Sequence, residues 1–517
     1  MTIRRLINHI FMASACLALL TSCDSYDGED DGNWVRVSST YINLSIAVSG
    51  GTTYTRAGEE PLGGENGDGR EAGFEPENTV TGITFILYQG ADGINSSDAD
   101  LDLVCYLPVT KVSSESQGTS FNKDKTHPEQ IESVWETGQQ KIGYTSVLDF
   151  SKTYHAIVIA NANLVTELSG KKLSDVRKLT LSNIYTGSPT VPASSCTNFV
   201  MATEMDNVTF TFDSPKTLGG GDWKKGQDVY FDFTDKPIII ERLAARIDFH
   251  AANSNGYKTN ADNAAYTIPG YEYNVSGSST DKFVVTGIVP FNLTNGHATY
   301  GIEYLIKRLR TDISEATTTQ YLINETTTNY VIDPKTDDKT ESVTPSLTSP
   351  LANIYSLIGN SSYPTQPQLD NTTDNPYYHS IEAMHASSSK STISEKENVV
   401  VCYPMENCLL PESKLYYHAT GIAIVGYYYQ NGTGTGTRYV YLGYLRHQGE
   451  AESYDIQPYT TPLALNAAMG TTKAMNFGIV RNNIYRVSVN SIDSKGTLEL
   501  KIKVKKWDPY IHEYIYM

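Results

Sequence analysis

Histidine, methionine and cysteine are scarce in this chain, at 10, 9 and 6 of 517 residues. Long helical periods of Leu, Ala, Glu and Lys are missing, which excludes a helical bundle or coiled coil as the main architecture. Positive charge is short as well: 40 Lys and Arg face 58 Asp and Glu, a formal net charge of −18. That balance excludes nucleic acid as a partner and leaves no electrostatic route to an anionic lipid surface. The apolar run from Leu6 to Leu20 is too short for a spanning helix and is followed too soon by Asp24, Asp27, Glu29, Asp30 and Asp31. The cysteines are too dispersed for a four-Cys zinc site. Cys105 and Cys196 lie in apolar surroundings typical of reduced thiols, whereas Cys402 and Cys408 flank a short loop that a bridge could close, so the sequence leaves their redox state open.

What is present is tyrosine (36 residues), glycine (39) and threonine in quantity, the profile of an exported β-sheet protein. At this length two domains are expected. Arg4 and Arg5 precede the apolar run, which closes on Leu20-Thr21-Ser22-Cys23, a lipobox. Residues 1–22 therefore read as a lipoprotein signal peptide, with Cys23 as the acylated residue that tethers the chain to a membrane face. From Tyr41 to Val48 the chain alternates, with Ile42, Leu44, Ile46 and Val48 on one side, the period of a half-buried strand. A Gly/Thr-rich stretch then presents Arg56 before Ala57 and Gly58, within easy reach of a trypsin-like protease, although Arg56 also reads simply as one loop arginine among many. Residues 57–78, rich in Gly, Glu, Pro and Asn, read as a solvated linker that also contains Arg70, a second site for cutting.

Further along, strands are expected at Val80–Tyr88, Leu101–Val109, Tyr154–Asn163 and Val208–Phe212, a helix at Leu164–Leu181, and one long sheet-like run at Pro237–Phe249 that opens a second domain. Residues 311–396 are dominated by Thr, Ser, Asn and Asp and read either as a large polar surface excursion with short strands or as a partly mobile segment. From Asn398 the β pattern resumes through Val399–Tyr403, Tyr416–Gln430 and Thr437–Leu445, the last two joined by a hairpin loop opening on Asn431-Gly432.

The run Met475-Asn476-Phe477-Gly478-Ile479-Val480-Arg481-Asn482-Asn483-Ile484-Tyr485-Arg486-Val487-Ser488-Val489, then Gly496, Leu498–Val504 and Trp507, resembles the C-terminal signature of fimbrillins. These are the shaft proteins of the protease-assembled (type V) pili of Bacteroidales, and the C-terminal half is similar to that of minor-fimbrium major subunits. The lipobox, Thr55-Arg56-Ala57, the strand Tyr154–Asn163, Phe199-Val200-Met201 and Glu241–Ile247 extend the resemblance along the chain; residues 311–396 match nothing in it. It implies a mainly β fold of two β-sandwich-like, transthyretin-like domains in tandem with a few short helices. The domains would be residues 57–235 and 236–517, preceded by a propeptide at 23–56. It also implies export to the outer membrane as a lipidated precursor, cleavage between Arg56 and Ala57, loss of the strand Tyr41–Val48, and filling of the vacated groove by a C-terminal strand of another subunit. The implied partners are other copies of the chain, fimbrial anchor and tip subunits, the maturing protease, and host or bacterial surface receptors; no cofactor is implied.

Elementary energetics agree with such an exchange. Four buried apolar side chains at Ile42, Leu44, Ile46 and Val48 would contribute roughly 1.5–3 kcal/mol each. A trough left by their removal would present apolar surface and an unpaired sheet edge. Two C-terminal segments alternate suitably. Leu498–Val504 reads as an intradomain edge strand guarded by lysines, and Tyr510–Met517, with Tyr510, His512, Tyr514 and Tyr516 on one side, as the donor. A subunit that donates at one end and accepts at the other forms a head-to-tail filament.

Catalytic chemistry finds little support, and the chain is not expected to be an enzyme. His379 and His385 lack a third ligand nearby, and Asp98, Asp100 and Asp102 lack the glycine and closing glutamate of a calcium loop. Gly219-Gly220-Gly221 runs into Asp222-Trp223 rather than a phosphate-binding Lys, and Cys196 has no evident His partner. Two readings remain, a pilus shaft subunit polymerised after cleavage and a tip adhesin or glycan-binding surface lipoprotein that does not form the shaft.

Overall fold

The computed structural model describes residues 40–48, 70–72, 75–89, 99–108, 130–133, 153–181, 183–187, 196–203, 208–211, 229–251, 253–291, 303–304, 378–387, 398–408, 420–445, 452–458 and 478–508. The described chain is mainly β, with three large sheets, two short two-stranded ladders and a few short helices.

The first sheet has eight strands. Its path runs Leu101–Pro108, Gly82–Gln89, Thr153–Ala160, Met201–Thr203, Val229–Arg242, Thr40–Val48 and Gln130–Ser133, with Val208–Thr211 pairing off the path onto Thr153–Ala160. Gly82–Gln89 and Thr153–Ala160 are buried along almost their whole length, which accounts for continuous apolar runs in place of a strict alternation. The strand Thr153–Ala160 ends at Asn161, which adopts a left-handed φ of 61° that Asn tolerates. The Asn161 side chain then closes the corner by donating to the carbonyls of Thr79 (2.8 Å) and Phe199 (2.7 Å). The helix expected over 164–181 is two short ones, Val165–Leu168 and Leu173–Lys178, separated by Gly170 at φ 70°. Glycine in the left-handed region ends a helix readily, and this one interrupts the expected period. Leu168, Leu173 and Val176 complete the first core.

The second and third sheets, six strands each, face one another. One is built on Asn398–Cys402, Arg246–His250, Asn483–Ile492, Leu498–Asp508 and Arg70–Ala72, with Glu452–Ile456 also on Leu498–Asp508. The other carries Tyr257–Lys258, Gly270–Asn274, Lys282–Phe291, Gly421–Tyr429 and Thr437–Tyr444, with His379–Ser380 on Lys282–Phe291. Phe249, Val487 and Leu500 from one share a core with Tyr271, Phe283 and Ile424 from the other, a sandwich interior. The hairpin after Tyr429 uses Asn431 (φ 55°), Gly432 (φ 65°) and Gly434 (φ 76°) to reverse the chain, as Asn-Gly predicts.

Two expectations are corrected here. The run 237–249 is not one strand: Val229–Arg242 pairs within the first sheet, the chain turns at Leu243-Ala244-Ala245, and Arg246–His250 enters the second. Nor is the stretch 311–396 all surface excursion: besides the short strand His379–Ser380, which pairs with Ile288 and Gly287, the helix Ile381–Ser387 buries Ile381 and Met384 in the sandwich core.

Candidate functional site

The strand read from alternation at 41–48 is present as Thr40–Val48, and it is internal to its sheet. On one side it runs parallel to Val229–Arg242, from Thr40 opposite Val229 to Val48 opposite Ile240, with a register shift between Leu44 and Ile46. On the other it runs antiparallel to Gln130–Ser133, with Leu44 opposite Ser133 and Ala47 opposite Gln130. The parallel neighbour supplies Ile238 and Ile240 to the first core. A nine-residue strand therefore separates two others that do not pair with each other in the sheet path. Ile42, Leu44, Ile46 and Val48 belong to this strand. Cys23, Arg56 and Ala57, and the segment containing Tyr510, His512, Tyr514 and Tyr516, lie outside the described residues.

At the C-terminal end, Leu498–Asp508 extends four residues beyond the alternation read at 498–504. Leu498, Leu500, Ile502 and Val504 are buried, while Lys503 is exposed. The expectation of an edge strand is corrected: one side pairs antiparallel with Asn483–Ile492. The other side takes Glu452–Ile456, opposite Ile502 to Leu498, and then Arg70–Ala72, opposite Lys506 to Asp508. Those partners come from distant parts of the sequence, so local pattern gave no sign that both sides would be covered.

The linker expectation for 57–78 is corrected over its last residues. Arg70–Ala72 is a parallel strand on the C-terminal strand, and Glu75–Asn78 is a single helical turn. Glu77 in that turn is buried and stands among charges from far along the chain. Arg246 Nη1 donates to both Glu77 carboxylate oxygens, at 3.4 and 3.1 Å, and the Tyr403 hydroxyl donates to Oε1 at 2.5 Å. Arg242 Nε donates to the Glu77 carbonyl oxygen (3.0 Å) and its Nη1 to Asn482 Oδ1 (2.9 Å). Arg246 also grips Asp248 through two bonds of 2.9 Å, and Arg486 Nη2 lies 3.6 Å from the same carboxylate. Burial alone would lower the Arg246 pKa, but Asp248 and Glu77 outweigh it and hold the guanidinium firmly charged. Burial first, and then Glu77, push the Tyr403 phenol well above its ordinary value, so it stays a donor. A second buried pair lies nearby in sequence, where Glu406 accepts from the Arg481 backbone N–H (2.9 Å) and sits 3.4 Å from its Nε.

Sequence reasoning missed this network. Arg242, Arg246 and Asp248 inside an apolar run were its visible half, since charge on a buried strand needs a partner. Glu77 offered no local sign.

The groups weighed for chemistry are dispersed. His379 is buried, whereas His385 stacks flat on Tyr257 with ring centroids 4.1 Å apart. Asp102 accepts from Gln89 Nε2 (3.2 Å), and Asp100 forms a backbone bridge to Lys172. Gly219-Gly220-Gly221 and Asp98 lie outside the described residues. Cys105, Cys196 and Cys402 are free thiols, so no Cys402–Cys408 bridge is present. Among the described residues no group of three or more His, Cys, Asp and Glu could hold a metal ion, and no helix is long and apolar enough to cross a membrane.

The fold and the inserted strand define a mainly β protein with an internal, N-terminally supplied strand. No family model matches the sequence, and no curated protein does. Solved structures do match over most of the chain. A candidate cell adhesion protein from Parabacteroides distasonis matches at 12% identity and a TM-score of 0.41, covering 92% of this chain and 98% of that one. A fimbrilin from Porphyromonas gingivalis matches at 13% identity and a TM-score of 0.38, covering 91% and 98%. A tip fimbrial protein of the same species, with a C-terminal truncation, matches at 10% identity and a TM-score of 0.37, covering 91% and 100%.

Proposed function

We propose that this protein is the structural subunit of a surface fimbrium, exported as a lipoprotein acylated at Cys23, cut after Arg56, and polymerised by strand exchange. The observation that carries the reading is the position of Thr40–Val48. It lies upstream of Arg56, so one cut severs it from the remaining chain, and it lies inside the first sheet between Val229–Arg242 and Gln130–Ser133. Its departure would expose the facing edges of two strands at once, a site suited to an incoming strand.

The occupant would be the tail beyond Trp507, with Tyr510, His512, Tyr514 and Tyr516 entering from another copy. Leu498–Asp508 is committed on both sides within its own subunit, which leaves the residues after it as the donor. The precursor would reside at the outer membrane, and the mature subunit in the fimbrium with anchor and tip subunits, supporting adhesion.

The test is digestion of the purified full-length chain with a trypsin-like protease, followed by amino-terminal sequencing and electron microscopy. Ala57 as the new first residue and filaments from the cut protein are expected, while a chain ending at Trp507 is cut equally well and stays monomeric. Filaments from the shortened chain would overturn donation by the tail. A cut chain with its C-terminal tail in place that accepts a tail yet never extends would identify a tip subunit instead.

A further inference from the structure

The short strand Arg70–Ala72 begins 14 positions downstream of Arg56, where the cut is proposed, and contains an arginine of its own. A three-residue strand pairing with Lys506, Trp507 and Asp508 is marginal by itself. The helical turn Glu75–Asn78, just beyond it, is anchored far more firmly. Glu77 carries its carboxylate into a site where its side chain and that of Arg246 are 1% and 2% exposed. Arg246, Tyr403 and, at the backbone carbonyl, Arg242 all donate to this one residue. These donors are fixed in turn, since Arg246 is held by Asp248 and Arg242 by Asn482.

We propose that the buried Glu77 site is a latch that keeps Arg70–Ala72 in the second sheet and thereby shields the Arg70–Glu71 bond from arginine-specific proteases. A protease binds its substrate as an extended strand, so a bond whose flanking backbone is already paired must leave the sheet first. Cleavage then follows the population of the opened state. Opening this segment strips Glu77 from Arg246 and Tyr403, which makes the open state rare. The latch rests on the reading that an arginine-specific protease matures the chain, and it supplies the reason that Arg56 is cut while Arg70, a short way downstream, is kept. It also means that the new amino-terminal stretch stays fastened to the C-terminal strand after maturation.

The test is limited trypsin digestion of the purified full-length chain in native buffer, with peptide mass mapping that follows cuts at Arg56 and Arg70 separately. In the unaltered protein Arg70 is expected to survive while Arg56 is cut. Glu77→Gln and Tyr403→Phe are each expected to raise the Arg70 rate roughly tenfold or more, with the Arg56 rate unchanged. Equal Arg70 rates in the unaltered chain and Glu77→Gln would overturn the latch, as would an unaltered chain cut at Arg70 as fast in buffer as in urea. If Glu77→Gln unfolds, arginines and lysines throughout the chain become labile together. Tyr403→Phe, which deletes a single hydrogen bond, then decides, and an unchanged Arg70 rate in it refutes the proposal. Failure of trypsin to cut at Arg56 would count against the maturation reading alone, because the comparison at Arg70 stands without it.

Discussion

Glu77 and Arg246, 169 residues apart in sequence, meet at 3.1 Å with both side chains almost wholly withdrawn from water. The pair joins a single helical turn ahead of the first core to the strand Arg246–His250 of the second sheet. Breaking one member leaves the other charged in a medium that solvates it poorly. Arg246→Met is therefore expected to destabilise the protein by about 3–5 kcal/mol, more than a typical core substitution of similar size. The double variant Glu77→Leu with Arg246→Met should recover the share of that loss that falls on Glu77, while the share from Asp248, which also loses its two bonds to Arg246, remains. Urea unfolding of the four proteins forms the cycle; a double variant no more stable than the worse single one would contradict this account.

His379 provides a pH test. Its ring is buried, Nε2 has no hydrogen-bond partner among the described residues, and burial pulls its pKa down to about 4 from 6.5. The folded state holds it neutral while the unfolded chain protonates it, so the unfolded state binds more protons between these values. Its contribution is complete above pH 6.5 and declines as pH falls towards 4, by up to ~3 kcal/mol. His379→Gln should flatten the pH dependence of the urea midpoint in that window. A slope identical to that of the unaltered protein would show that other groups carry the titration.

The thiols should behave as packing groups. Burial raises Cys105 to about 12, and burial with the nearby Glu77 charge raises Cys196 to about 11; Cys402 is also pushed up, chiefly by burial. Because the thiolate is the reactive form, iodoacetamide at pH 8 should leave Cys105, Cys196 and Cys402 unmodified in the folded protein and alkylate all three in denaturant. Peptide mapping by mass reads the result. Native labelling at Cys196 on the time scale of an exposed cysteine would show that the first core opens there.

Much of the fold was legible because periodicity and turn chemistry are local. The strand at 154–160 announced itself by a strongly apolar run ending at Asn161, and Leu498, Leu500, Ile502 and Val504 by strict alternation. Two failures were avoidable in principle. Gly170 marked the break in the expected helix, and the Leu243-Ala244-Ala245 interruption marked the change of sheet. Others were not. Coverage of Leu498–Asp508 by Glu452–Ile456 and Arg70–Ala72, and the descent of Glu77 into a charged interior, depend on partners that approach only when the chain is folded. A residue within a Gly- and Glu-rich stretch carries no periodic trace of such a partner. Of the candidate site, the strand Thr40–Val48 was legible as an element, but its place between two other strands was not.

The berth of Thr40–Val48 has unlike walls: one border follows the occupant's own direction and the other opposes it. Turned end for end, a guest would have to trade slanted bonds for perpendicular ones on one flank and perpendicular for slanted on the other. A fibre threaded through such berths would carry an arrow, with one terminus always offering an empty seat and the other an unspent tail.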